Sequence, residues 1–371
     1  MHGLVNENSS CFMDVILVAL FVPRYNDVFI KLFFDSPQLL QQADGAETGW
    51  ESVPACTTQW RQHVRDTLLK LMQDMHSNAG TGTLTVAPLK HWFAHVPASD
   101  LNFGDDDQQS AVDFLRYLLN VFRIRDSLVS FQTSTTNFTH RPEVTLAGVN
   151  IAQLVRAWIS HPVVTKYTRL QNADKCSDES DREYLLRDAS GQAAILTNSA
   201  KDVRRIGHVE HASVFLCQLT PTDHLYTRVD RNLLPHADQL GTQDGYTGSV
   251  ATKLVATRLL QAPVLIIEVS RKSAVLTPQG YREQKLQTPV YYGDTQHVLH
   301  IHEHSFQLCA VVCHLGSATG INGHYVAYVH DGDQWLFYDD LAPRACMVPV
   351  FTLEPHASRN GELFFYTRCS N

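Results

Sequence analysis

Residues 11–22 are apolar on nearly every side, a pattern that predicts a helix buried all round rather than an amphipathic one. Trp60, Val64, Leu68, Leu71, Met72 and Met75 fall on one side of a helical projection and predict an amphipathic helix over 60–75. Ala111, Phe114, Leu115, Leu118, Leu119 and Phe122 repeat in the same way. They follow Asp105-Asp106-Asp107, whose charges suit a helix N-terminus, so a helix is expected over 108–122. A further helix is expected over 151–160. From about residue 125 the pattern changes. Ser, Thr, Asp and Gly become frequent, short strand-like runs appear at 193–197, 213–219 and 263–269, and the polar stretch 171–192 reads as a loop. The C-terminal part predicts antiparallel strands at 290–292, 306–314, 324–330, 334–338 and 363–368. Helices first and strands later predict an α+β fold.

The chain has 371 residues, 44% of them hydrophobic, enough for a large core and, by length alone, for two or three domains. A net charge of −8 and a pI near 6.1 argue against a nucleic-acid partner. The eight cysteines stand at 11, 56, 176, 217, 309, 313, 346 and 369, with no CxxC pair. A zinc ribbon therefore has no support, and the wide spacing in a long chain predicts free thiols in a reducing compartment. The run 15–22 follows no basic region and lacks a small-residue cleavage site, so no signal peptide is expected. It is also too short to span a membrane, and no membrane partner is expected. Without an export signal, the sequon Asn137-Phe138-Thr139 carries no weight.

Two segments near opposite ends of the chain supply complementary chemistry. Val329-His330-Asp331-Gly332-Asp333-Gln334 joins two strand-like runs, and Asp-Gly is a preferred centre for a two-residue hairpin turn. That turn pairs His330 with Asp333 and, counting outward, His324 with Asp339. Directly opposed residues share a face with Cβ atoms ~5 Å apart, within reach of an imidazole–carboxylate hydrogen bond. Asp340 then points to the other face. An ordinary surface hairpin carrying a salt bridge is the alternative. At the other end, Cys11 follows Asn8-Ser9-Ser10, residues that favour helix starts, and precedes the long apolar run. A thiol at a helix N-terminus near a protonated histidine is stabilised as thiolate. Asn6 lies five residues upstream of Cys11, where its amide could reach a reacting carbonyl. A buried structural cysteine is the alternative. Thiol, imidazole and carboxylate together form the minimal cysteine-hydrolase set.

These segments resemble the ubiquitin-specific proteases, the papain-like deubiquitinases. The family's cysteine box, Gly-Leu-x-Asn-x-Gly-Asn-Thr-Cys-Tyr-Met-Asn, is matched at Gly3, Leu4, Asn6, Cys11 and Met13, with Phe12 in place of Tyr. Its histidine box is matched at Gly323, His324, Tyr325, Ala327, Tyr328, Trp335, Tyr338, Asp339 and Asp340. Weaker likenesses follow in the correct order: Gln108-Gln109-Ser110-Ala111-Val112-Asp113-Phe114-Leu115, then 263–267 with Arg271 and Lys285-Leu286, then 306–312 with His314 and Gly316, then 363–368.

The resemblance implies one catalytic domain over 1–371 with a helical thumb (about 1–125), β fingers (126–260) and an antiparallel β palm (261–371). It implies Cys11 as nucleophile, His324 as general base, Asp339 as orienting carboxylate and Asn6 as oxyanion donor. It also implies hydrolysis after the C-terminal glycine of ubiquitin, by a monomer in the cytoplasm or nucleus, without cofactor or resident metal. Asp105–Asp107 and Asp113 are candidates to meet the arginine-bearing tail of ubiquitin, with capping and a solvated face as the alternative. The polar loop 316–322 could cover the tail channel, or be a plain hairpin loop. His208 and His211, and the cluster His300, His302 and His304, lack cysteine or carboxylate partners at ligand spacing. The chain departs from the boxes at Asn8-Ser9-Ser10, Asp14, Ser110 and Asp113, and its fingers lack the zinc ribbon of many members. A protease for a ubiquitin-like modifier and an inactive ubiquitin-binding scaffold remain as other readings.

Overall fold

The computed structural model describes residues 3–23, 27–35, 58–77, 84–94, 103–104, 109–122, 124, 128–129, 131–140, 168–169, 183–187, 193–197, 203–212, 214–218, 223–224, 236–243, 246–256, 262–278, 280–301, 304–316, 323–342, 347–350, 353 and 356–369. The chain forms two compact units, one from 1–130, 213–229 and 258–371, the other from 131–212 and 230–257.

The first unit holds the helices α1 (Cys11–Phe21), α2 (Thr58–His76), α3 (Ala87–Ala94) and α4 (Ala111–Val121). Its sheet has eight strands: β1 (Val214–Gln218), β2 (Val264–Ser270), β3 (Val298–Ile301), β4 (His304–Leu315), β5 (His324–Asp331), β6 (Gln334–Tyr338), β7 (Met347–Val350) and β8 (Gly361–Arg368). Their order is β7-β6-β5-β4-β8-β2-β1, with β3 also paired to β4. Neighbours are antiparallel except β2 and β1. The fold is α+β, with helices N-terminal and the antiparallel sheet C-terminal, as the hydrophobic pattern predicts.

Every residue of α1 is buried, which is why its sequence shows no polar face. The helix packs against β4, β5 and α4. Phe12 meets Phe114 edge-on at 5.8 Å between ring centroids, and Phe21 meets Phe33 edge-on at 5.5 Å. Near the end of α1 the Phe21 carbonyl accepts from His76 Nε2 at 2.8 Å, a side-chain donor where helix carbonyls lack a partner. α4 starts at Ala111, three residues later than predicted, because Ser110 caps it. The Ser110 backbone is extended and its hydroxyl accepts from the Asp113 N–H at 3.3 Å. On the sheet side, the buried Arg271 donates to four backbone carbonyls: Gly361 at 3.0 Å, Thr288 and Ser358 at 2.6 Å, and Leu286 at 3.4 Å. One guanidinium thus ties the segment after β2 to the start of β8 and to the 286–288 stretch.

The β5–β6 hairpin turns two residues away from the predicted register. Asp331 pairs with Gln334 and His330 with Trp335, so the loop is Gly332-Asp333 rather than Asp331-Gly332. Gly332 takes φ 66° at the first loop position, and Asp333 does not share the left-handed conformation, the arrangement of a II′-type turn. The glycine has moved to the position that demands it. A shift of two residues preserves the face of every side chain, so His324 and Asp339 still share one.

The second unit is described by its strands. Val203–Ala212, Phe131–His140, Tyr246–Ala256 and His236–Gln243 form an antiparallel sheet in that order. A three-stranded sheet runs Thr168–Arg169, Glu183–Arg187, Ala193–Thr197. The strand Glu183–Arg187 corrects the loop expected over 171–192: Tyr184-Leu185-Leu186 is a short apolar run that pairs with Ala193–Thr197. The helix expected over 151–160 lies outside the described residues.

Candidate active site

His324 opens β5, and Asp339 follows the last residue of β6. Asp339 Oδ1 lies 2.8 Å from His324 Nε2 and accepts from the Leu341 N–H at 3.0 Å. The second bond is an Asx-type turn that uses the chain's own backbone to hold the carboxylate. A carboxylate only accepts, so Nε2 carries the ring hydrogen and Nδ1 is left as the basic nitrogen. Gly323 is required by its neighbour on β4: a Cβ there would sit 1.9 Å from His314 Nε2. The His314 ring packs on Tyr325 at 4.7 Å between centroids. Burial, and then the charges of Lys285, Lys272 and His324, push His314 down to about 4, so its ring is neutral at physiological pH.

Cys11 is the first residue of α1. The loop before it is held at many points. Val5 N–H donates to the Leu84 carbonyl at 2.8 Å, Tyr338 Oη to the Leu4 carbonyl at 2.9 Å, and Asn6 N–H to the Asp340 carbonyl at 3.1 Å. Asn8 and Ser9 take φ 51° and 61°, the left-handed region. Asn tolerates that conformation and Ser pays no clash beyond its Cβ, so Asn8-Ser9-Ser10 makes the turn. Lys90 Nζ on α3 donates to the Asn8 carbonyl at 2.9 Å. Ser10 is not a helix cap of the usual kind; its hydroxyl accepts from the Glu7 N–H at 2.9 Å and donates to Asp14 Oδ2 at 2.6 Å. Asn6 Nδ2 donates to Asp340 Oδ2 at 3.0 Å, which leaves the second amide hydrogen for another acceptor.

The two segments meet because α1 packs on β5. Backbone N–H groups of Tyr325 and Phe12 point at the Cys11 sulfur. The electrostatics differ from the expected stabilised thiolate. Burial first, and then the Asp340 and Asp14 carboxyls, push the thiol up to about 11 against the lowering by those N–H groups. In this arrangement Cys11 is a neutral thiol that must lose its proton to a base before it can attack.

His324, Asp339 and Asp340 are the one grouping among the described residues whose donor atoms lie close enough to share a metal ion, within 4.8 Å. Its closest pair is already joined by the 2.8 Å hydrogen bond, and three N/O donors of this kind fit an imidazole–carboxylate pair as well as a cation, so no residue is assigned as a ligand. Asp113 sits in the first turn of α4, 3.8 Å from Arg116, and Arg116 pairs across to Glu268 on β2. His300 pairs with Ser305 and Asp294. Asp105–Asp107 and 317–322 lie outside the described residues. Sequence reasoning gave no role to Lys90 or to the buried Asp14 and Asp340 side chains. Only their burial and partners mark them, apart from the place of Asp14 one helical turn after Ser10.

A family model described as ubiquitin carboxyl-terminal hydrolase matches residues 2–366. The chain belongs to the ubiquitin carboxyl-terminal hydrolase family. Two solved structures of the SAGA DUB module Ubp8/Sgf11/Sus1/Sgf73 share the hydrolase fold. The one bound to monoubiquitin has a TM-score of 0.58 at 14% identity and covers 100% of this chain and 69% of its own. The one bound to ubiquitin aldehyde has a TM-score of 0.55 at 15% identity, with coverage of 100% and 70%. Identity this low speaks for the fold alone. No curated protein matches this family member in sequence. No described helix is long and apolar enough to cross a membrane.

Proposed function

We propose that the chain is a thiol-dependent deubiquitinase that hydrolyses the isopeptide or peptide bond after the C-terminal glycine of ubiquitin. The observation that carries this reading is the His324–Asp339 hydrogen bond beside the helix that begins at Cys11, in a chain of this family. His324 Nδ1 takes the proton of the neutral Cys11 thiol as the thiolate attacks the glycine carbonyl. Asp339 holds the imidazole by Nε2 and offsets its positive charge. Asn6 and the Cys11 N–H, one of the unpaired amides of a helix start, receive the developing oxyanion. His324 then protonates the leaving amine, and water, deprotonated by the same ring, resolves the thioester.

In this reading the unit from 131–212 and 230–257 serves as the fingers, and the rest as thumb and palm. The enzyme acts as a monomer in the cytoplasm or nucleus. Its partner is ubiquitin or a ubiquitin conjugate.

The test is a ubiquitin bearing a C-terminal electrophile, run beside the same electrophile on ubiquitin-like modifiers. Ubiquitin is expected to label the protein once, at Cys11, and Cys11→Ala to abolish labelling. Labelling that survives in Cys11→Ala overturns the nucleophile. Labelling only by a relative of ubiquitin overturns the substrate. Binding of ubiquitin without labelling makes the chain a scaffold.

A further inference from the structure

Asp14 and Asp340 are both wholly buried, and each has one oxygen satisfied and one not. Asp14 Oδ2 accepts from Ser10, and Asp340 Oδ2 from Asn6. Asp14 Oδ1 and Asp340 Oδ1 accept no hydrogen bond, and the nearest cationic-type atom to the latter is His324 Nε2 at 3.7 Å. The two side chains lie within hydrogen-bonding reach of each other. Two ionised carboxylates in contact repel, whereas an acid and a carboxylate can share a proton. One proton between them lets one carboxyl donate to the other.

The surroundings decide which carboxyl keeps it. Asp340 takes the Asn6 amide and faces His324, both of which favour its charge; Asp14 takes only a serine hydroxyl. The other charged or titratable groups facing the pair are Lys90 on α3, Asp339 after β6 and the Cys11 thiol on α1. Burial holds Asp14 well above the usual carboxylate range, and Asp340 is raised for the same reason.

We propose that Asp14 is a positioning residue for the hydrolase reaction, a neutral acid that donates to Asp340 and so holds Asn6 in place beside Cys11. The proposal rests on the reading of Cys11 as nucleophile and Asn6 as oxyanion donor. The bonds form a closed path: Glu7 N–H to Ser10, Ser10 to Asp14, Asp14 to Asp340, and Asn6 back to Asp340. It ties the loop before the cysteine to the turn after β6. A neutral Asp14 also removes one negative charge from beside the thiol, which eases its ionisation. As pH rises past its raised pKa, Asp14 ionises, the bridge becomes a repulsion and Asn6 loses its anchor.

The test combines infrared spectroscopy with kinetics. At neutral pH, the difference spectrum between the parent protein and Asp14→Asn is expected to show the carbonyl stretch of a neutral carboxylic acid in the parent. Asp340→Asn, whose amide would donate to Asp14, is expected to shift or weaken the same band. With a ubiquitin-derived substrate, Asp14→Leu is expected to lower kcat roughly tenfold with KM little changed, the loss of one charge-assisted hydrogen bond. Asp14→Asn restores most of that loss and removes the fall of kcat that Asp14 ionisation causes. Absence of the acid band, or an Asp14→Asn variant as slow as Asp14→Leu, overturns the proposal. The infrared arm needs no turnover, and either Asn variant serves if the Leu variant does not fold. Labelling of Cys11 without the band overturns the bridge and leaves the hydrolase reading standing. The band without labelling overturns the hydrolase reading, and the positioning role with it.

Discussion

The two halves of the candidate site are held in different ways. His324 and Asp339 sit at the ends of paired strands, and the β5–β6 ladder, a glycine turn and an Asx-type turn place them. Backbone hydrogen bonds do nearly all of that positioning. The loop from Leu4 to Ser10 belongs to no sheet beyond a single bridge from Leu4 to Leu84. Asn6, Ser10, Asp14, Lys90, Tyr338 and Asp340 hold it largely through side chains. A ladder is indifferent to pH and to most side chains, whereas a side-chain network depends on the protonation of each member. The histidine half is therefore the rigid partner, and the cysteine half is the one that pH and substitution can loosen.

The largest expected effect breaks the histidine half. Asp339→Asn removes the negative charge that sets the imidazole tautomer and offsets its positive charge, and is expected to lower turnover by ~10²–10⁴. Asp340→Asn is expected to cost less, since an amide still accepts from Asn6. Steady-state kinetics on a ubiquitin-derived substrate reads both, and the reverse order would assign the imidazole to Asp340 instead. Next comes Gly323→Ala, which drives a Cβ to 1.9 Å from His314 Nε2 in a buried setting. Overpacking of this kind costs ~1–3 kcal/mol and should appear as a lower melting temperature. An unchanged melt would show that the His314 ring yields freely.

Smaller effects sharpen the cysteine half. The Asp14 carboxyl is raised in the folded protein, so above the usual carboxylate range the folded state keeps a proton that the unfolded chain releases. Stability from this group is therefore present at acid pH and lost as pH rises from that range towards the folded pKa. Asp14→Asn removes the slope, and thermal melts across pH should show it gaining on the parent from acid to neutral. A constant difference would mean that Asp14 titrates in the folded state as it does in the unfolded chain. Ser9→Gly is the smallest. Relief of a left-handed non-glycine residue gives ~1–2 kcal/mol. The greater freedom of glycine in the unfolded chain offsets ~0.5–1 kcal/mol. A net gain between zero and about 1.5 kcal/mol is expected in denaturant melts, and a loss would show that the Ser9 side chain contributes to the loop.

Legibility in the sequence follows the same division. The apolar run at 11–22 announced a helix buried all round, and α1 is that helix, because a stretch apolar on nearly every side has no stable exposed face. α4 was legible from its period, though its start was not, since Ser110 rather than the acidic triplet caps it. The hairpin was legible as a hairpin. Its turn was misplaced by the choice of Asp-Gly over Gly-Asp, and the face assignment survived because side chains alternate with period two. The short helix α3 went unseen, although Lys90 on it reaches the loop before Cys11. In the second unit the strand at 193–197 was legible, but others escaped, because polar runs such as Phe131–His140 carry little alternation.

By itself the sequence determined the family, the α+β order of helices and strands, and which residue types stand at each end of the chain. Those follow from local periodicity and from motifs a few residues long. Tertiary structure alone decided that Asp14, from the first turn of α1, and Asp340, after β6, are buried against one another. It also decided that the Cys11 thiol sits among carboxyls rather than in a field that lowers its pKa. The reason is that a pKa is set by burial and by neighbours distant in the chain, and no local pattern records either one.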